Sequence, residues 1–154
     1  MRLGFKILLI LLAVFTLMQF FQPDRNSGVT ASANDIAKIY PVPVSVQAIL
    51  KKACYDCHSN STRYPWYAYI QPFGWMMNSH IKDGKAELNF NDFGSYSARR
   101  QRSKIKAIAA SINDGSMPLA SYTLIHKDAK LNHTEKNLIL NWLRGIEEES
   151  SRKH

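Results

Sequence analysis

The chain has 154 residues, 45% hydrophobic and 21% charged, which is the balance of a folded globular chain with material for one compact domain. Its two cysteines exclude a disulfide-dense scaffold and a four-cysteine zinc site, and it carries no Gly-rich phosphate loop. The formal charge is +8, and residues 34–154 keep 17 basic against 11 acidic side chains, so the basic bias belongs to the body of the protein.

The N-terminus opens Met1-Arg2-Leu3-Gly4-Phe5-Lys6 and continues through an apolar run over residues 7–21, interrupted only by Thr16 and Gln19. A basic start before an apolar run reads as an export signal or a membrane anchor. Counted from Leu3, with Lys6 reaching back to the headgroups, the run extends about 28 Å as a helix and could just span the ~30 Å hydrocarbon core. Ala31-Ser32-Ala33 offers a small-residue cleavage site, although far downstream. The expectation is a single-pass anchor over residues 3–21 in the cell inner membrane, with the remainder on the periplasmic side. A cleaved signal and a buried core helix are the alternatives.

Residues 22–41 read as a polar, turn-rich linker, residues 42–146 as the folded domain and residues 147–154 as a polar tail that frays. Four helices are predicted within the domain. The first carries Val46, Ile49, Leu50, Ala53 and Cys57 on one stripe. The second starts near Pro72, with Phe73, Met76, Met77, His80 and Ile81 on its stripe and Gly84 as its stop. The third carries Ile105, Ile108, Ala109 and Ile112 and ends at Gly115. The fourth opens with Asn132 and Glu135 at capping-box spacing and runs through Leu138, Ile139, Trp142, Leu143 and Ile146. Strand signals are nearly absent, so the predicted fold class is all-α. Four short helices bury little surface, and the connection from Thr62 to Trp75 holds six aromatics: Tyr64, Trp66, Tyr67, Tyr69, Phe73 and Trp75. A large flat apolar cofactor would supply the missing core.

Cys54-Tyr55-Asp56-Cys57-His58 names that cofactor. C-x-x-C-H is the attachment signature of c-type haem. The spacing lets both thiols face the vinyl groups of one porphyrin while the next residue turns its imidazole under the iron as the proximal ligand. An accidental His58 beside a buried or disulfide-linked pair, a thioredoxin-like redox pair and a zinc site are the competing readings of the same residues. For the sixth iron position the candidates are Met117, His80 or no ligand. Met117 stands between the helix-stopping Gly115 and Pro118, off any helical stripe. His80 lies on the apolar stripe of the second helix, where a packing role or a hydrogen bond to the haem edge competes with ligation. His126 and His133 read as solvated surface. The cluster Arg99-Arg100-Gln101-Arg102-Ser103-Lys104 reads as a solvated face or a lipid contact, and no nucleic-acid partner is expected.

The chain resembles the haem-binding domain family of bacterial cell-envelope proteins, a relative of cytochrome c, over roughly residues 36–146. The resemblance rests on Tyr40-Pro41-Val42-Pro43, Cys54-Tyr55-Asp56-Cys57-His58-Ser59-Asn60, Tyr64-Pro65-Trp66-Tyr67, Ile70-Gln71-Pro72, Leu88-Asn89-Phe90, Met117-Pro118 and Tyr122-Thr123-Leu124-Ile125-His126. It implies one haem c held through Cys54 and Cys57, iron ligation by His58, and a cytochrome c-like helical domain. It is also consistent with Met117 as the Met-Pro loop ligand. The expected function is electron transfer to or from a redox partner at the membrane, a carrier more than a catalyst. A haem sensor or peroxidase-like protein with an open distal site, and an interaction module completed by haem, stand as alternatives.

Overall fold

A computed structural model describes residues 2–28 and 32–152. Among the described residues the chain is helical, with no named strand and one isolated bridge between Ser27 and Ser61. The all-α expectation holds.

Helix α1, Arg2–Met18, keeps its apolar side chains exposed along its length. Its 17 residues extend about 25 Å. Among the described residues no helix is long and apolar enough to cross a membrane. The spanning anchor expected over residues 3–21 is corrected accordingly: the helix stops at Met18, and the chain then turns onto the domain. Ala31 of the small-residue stretch lies outside the described residues.

The expected linker is also part of the fold. Asn26 donates from Nδ2 to the Ser59 carbonyl and to Thr62 Oγ1, at 2.9 and 2.8 Å, and the Gly28 N–H donates to the Asn60 carbonyl at 2.7 Å. The short helix α2, Ile36–Ile39, is capped by Asp35 and sinks Ile36 completely into the core. Polar composition hid that single apolar anchor.

The main core is built by α3, Val44–Ala53, α6, Ala98–Asp114, and α8, His133–Arg152. Val46, Ile49 and Leu50 meet Ile105 and Ile112 and Ile139, Trp142, Leu143 and Ile146 there, with Phe90 and Phe93 from a 3-10 segment, Phe90–Ser95. Helix α6 ends as its sequence demands, with Gly115 in the left-handed region at φ 76°. The capping box at α8 is complete: Asn132 N–H donates to Glu135 Oε2 at 3.0 Å, and Glu135 N–H donates to Asn132 Oδ1 at 2.9 Å. The polar tail does not fray at residue 147, because α8 continues to Arg152 and pairs it with Glu148 one turn earlier.

Two helices differ from expectation in ways that matter for the site. Helix α3 breaks at Cys54, whose φ of −127° ends one helix and opens the next, α4, Tyr55–His58. Cys57 therefore sits on a separate turn and not on the α3 stripe. Helix α5, Phe73–Glu87, runs through Gly84 and does not stop there. A second, smaller cluster of Ala68, Met77 and Ile81 packs against Cys57 and Tyr64, beside α5 and the 3-10 turn Trp66–Tyr69.

Lys52 Nζ, donating at 2.6 Å, and the Asn132 N–H hold the Glu135 carboxyl below the usual carboxylate range. A depressed folded value stabilises fully above the unfolded value of about 4.3, and that stability is lost as pH falls through the folded value. Glu135→Gln is expected to cost about 1 kcal/mol in urea unfolding at pH 7, the partial exposure of the pair keeping the value low. The gap between the two proteins should start to narrow as pH falls below the unfolded value of about 4.3 and close only below the depressed folded value. Leu143→Ala, at a buried position, is expected to cost about 2–5 kcal/mol at any pH.

Candidate functional site

Between the two clusters lies a cleft with two adjoining lobes, of about 570 Å³ and about 230 Å³. Cys54, His58, Met117 and Pro118 line both lobes, and Cys57 and His80 line the larger one. All five residues singled out in the sequence thus face one cleft. The volume is of the size that holds a drug-sized or cofactor-sized ligand.

The break at Cys54 lets α4 turn away from α3 and present the motif to the cleft. Several contacts hold that turn. Tyr55 stacks on Phe90 with centroids 5.1 Å apart. Asp56 is buried, and its carboxylate accepts from the Arg63 N–H, Nε and Nη2 at 3.1–3.3 Å and from the Tyr122 hydroxyl at 2.6 Å. Thr62 Oγ1 donates to the Asp56 carbonyl at 2.6 Å. The buried Asp56 charge is therefore paired and hydrogen-bonded, the condition under which such a group can be kept inside. Burial, with the carboxylate beside it, pushes the Tyr122 phenol far up, so it stays a donor.

His58 is the most constrained of the five. Its Nδ1 lies 2.9 Å from the Gly84 carbonyl and 3.0 Å from the Leu88 carbonyl. Carbonyl oxygens only accept, so Nδ1 carries the proton and donates to both. In the neutral ring Nε2 is left with its lone pair free for an electrophile. Both acceptors sit at the C-terminal end of α5, and the Gly84 carbonyl, which also accepts the Leu88 N–H at 2.8 Å, takes His58 as its second donor. Gly84 is what permits this. A Cβ there would meet the Cys57 carbonyl oxygen at 2.8 Å and the Cys57 Cβ at 3.2 Å, so only glycine lets α5 approach the motif this closely.

The two thiols are unlinked. Burial, helped by Cys57, pushes the Cys54 thiol up to about 12; burial, helped by Asp56, pushes Cys57 up to about 11. Both are protonated at neutral pH, unlike the lowered thiols of a redox-active pair. Among the described residues no three His, Cys, Asp or Glu side chains converge as a bound ion would require.

Met117 is partly exposed on the loop that follows Gly115. Its N–H donates to the Ser111 carbonyl at 3.1 Å, and the Ser116 N–H donates to Asp114 Oδ1 at 2.8 Å, which folds the loop back over the end of α6. His80 is half-buried on α5. His126 departs from its expected place on the solvated surface. It is half-buried, stacks on Tyr122 with centroids 4.2 Å apart, and bonds through Nε2 to the Tyr67 hydroxyl. Its neighbours Tyr67 and Tyr122 line the larger lobe. His133 is exposed beside Asn137.

Sequence reasoning missed Gly84, the Leu88 carbonyl, Asp56 and Tyr122 as the frame of the motif. Asp56 sat inside the motif itself, and a carboxylate between two cysteines was the available signal.

The donor set suits a haem: two thiols, an imidazole with a free Nε2, a thioether and apolar walls. A family model described as a haem-binding domain matches residues 13–145. No curated protein and no solved structure matches the chain. Gly84→Ala is expected to drive α5 off the motif, destabilising the fold by about 1–3 kcal/mol in thermal unfolding and reducing the haem absorbance retained per molecule.

Proposed function

This chain belongs to the haem-binding domain family, and on that footing we propose that it is a single-haem electron carrier of the bacterial cell envelope, with the haem covalently held by Cys54 and Cys57. His58 and Met117 would hold its iron. The observation that carries the reading is the double hydrogen bond from His58 Nδ1 to the Gly84 and Leu88 carbonyls, in a cleft shared with both thiols.

Each residue has a stated task. Cys54 and Cys57 would hold the haem through two thioether links to its vinyl groups. The Gly84 and Leu88 carbonyls fix the tautomer of His58, orient its ring and raise its basicity. Phe90, whose ring stands edge-on to His58 at 6.3 Å, and Leu88, Ile108 and Ile112 keep water from one wall. Bound haem supplies a one-electron centre, and ligation by a histidine and a thioether raises its potential. The exposed apolar helix α1 supports a location at the membrane, and the net +6 of residues 34–154 supports a partner with an acidic face. His80 in the same lobe supports a second reading of the sixth ligand only.

Protein matured with haem should gain the full mass of one haem under denaturing conditions, and Cys54→Ala/Cys57→Ala should abolish the gain. Met117→Ala should remove the long-wavelength absorption band of thioether-ligated ferric haem and lower the reduction potential, with His80→Ala leaving both unchanged. The reverse pattern would move the ligand to His80. Rapid carbon monoxide binding by the reduced wild type would sink the carrier reading in favour of an open distal site.

A further inference from the structure

The junction between α1 and the domain is built as a fixed joint. Gln71 donates its N–H to Gln19 Oε1 at 2.8 Å and its Nε2 to Gln22 Oε1 at 3.0 Å. Gln22 Nε2 donates to the Tyr69 carbonyl at 3.2 Å, and Trp75 Nε1 donates to the Phe21 carbonyl at 2.7 Å. The Arg25 guanidinium lies over the Tyr69 ring at 4.1 Å and the Tyr64 ring at 4.6 Å, and Nη1 donates to the Ala68 carbonyl at 3.3 Å. Polar groups of the joint are satisfied inward, and large apolar groups are left outside. Phe20 and Phe21 are exposed just past the end of α1, and Trp66, Tyr69 and Phe73 are exposed on the segment the joint engages, Trp66 at 75%.

A set of Trp, Tyr and Phe side chains at the foot of an exposed apolar helix has the composition of a membrane–water interface belt. Scattered exposed apolar residues need no explanation, but these lie on the two chain segments, residues 19–25 and 64–75, that the joint ties together, next to α1, whose large apolar side chains from Leu3 to Leu17 are exposed. We propose that Phe20, Phe21, Trp66, Tyr69 and Phe73 form a lipid-contacting platform that seats the domain on a phospholipid bilayer while α1 enters the lipid. This rests on the membrane location proposed above and adds the face by which the domain lies down. Arg25, sandwiched against Tyr64 and Tyr69, stands at headgroup level. Phe73 also lines the larger lobe of the cleft, so the platform puts one rim of that lobe next to the membrane.

The test uses the full chain loaded with haem and reconstituted into vesicles of phosphatidylethanolamine and phosphatidylglycerol. A fraction of the lipid carries a photoactivated carbene near the headgroup. Adducts are mapped by mass spectrometry. The expected result is labelling of α1 together with Trp66, Tyr69 and Phe73, and none on Val44 or Leu138. Those two are also exposed, but they sit on α3 and α8, the helices that build the main core, away from the joint. Labelling of α1 alone would overturn the platform and leave the insertion of α1 standing. No labelling anywhere would overturn both, with the haem mass still reporting separately on the cofactor. Equal labelling of Val44 and Leu138, or protein–protein crosslinks through Trp66 in place of lipid adducts, would also overturn it.

Discussion

One hydrogen-bonded contact organises the molecule: the imidazole of His58 against the last carbonyls of α5. A carbonyl oxygen has two lone pairs, so the Gly84 carbonyl can accept from the imidazole beside the Leu88 N–H it already holds, and the Leu88 carbonyl shares the same ring N–H. The two acceptors fix which ring nitrogen carries the proton. The contact requires α5 to lie against Cys57 at a distance that only Gly84 permits. It also requires α3 to break at Cys54, so that α4 can face α5 and not continue down the main core. The split of the interior into two clusters follows. One clusters around α3, α6 and α8, the other sits under α5, and the cleft is the space the break leaves between them.

Around that contact the polar frame explains how a short loop-rich motif is held without a disulfide. Asp56 draws in Arg63 and Tyr122, both of which donate to its Oδ2. Asn60 is tied in as well: its N–H donates to Asn91 Oδ1 at 2.8 Å and its Oδ1 accepts from Asn89 at 2.7 Å, while Asn91 Nδ2 donates to Asp35 at 2.6 Å. Asp56, between the two cysteines, and Asn60, just after them, are therefore pinned to three separate stretches of chain, at residues 63, 89–91 and 122. Such networks are costly when half-satisfied and rigid when complete, and among the described residues no buried side-chain polar atom lacks a partner.

Much of this was readable in advance. The stripes of α6 and α8, the left-handed stop at Gly115 and the Asn132–Glu135 box are local signals, and local signals survive folding. Motif residues Cys54, Cys57 and His58 were visible because their chemistry fixes their spacing. What escaped was set by distant partners. Gly84 looks like a helix stop in isolation; its meaning lies in the Cys57 backbone, 27 residues earlier in the chain. Ile36 was lost in a polar stretch because one buried side chain makes no period. His126 looked solvated because Tyr67, 59 residues earlier, is brought to it only by the fold, closing over a ring that already stacks on Tyr122 one turn before it. The N-terminal run was read by composition, and composition does not say where a helix ends. Met18 ends it, and Gln19 and Gln22 are already engaged with Gln71.

That joint bears on how the domain would meet other molecules. A flexible tether lets a domain sweep a hemisphere, with encounter rates governed by linker length. Residues 19–25 leave no slack of that kind, because successive side chains along them are tied to residues 64–75. The domain is mounted like a turret whose bearing has been welded, and its cleft keeps one heading relative to the axis of α1. Any molecule that docks at the cleft must approach along that heading, so the angle between helix and cleft becomes a selectivity element in its own right.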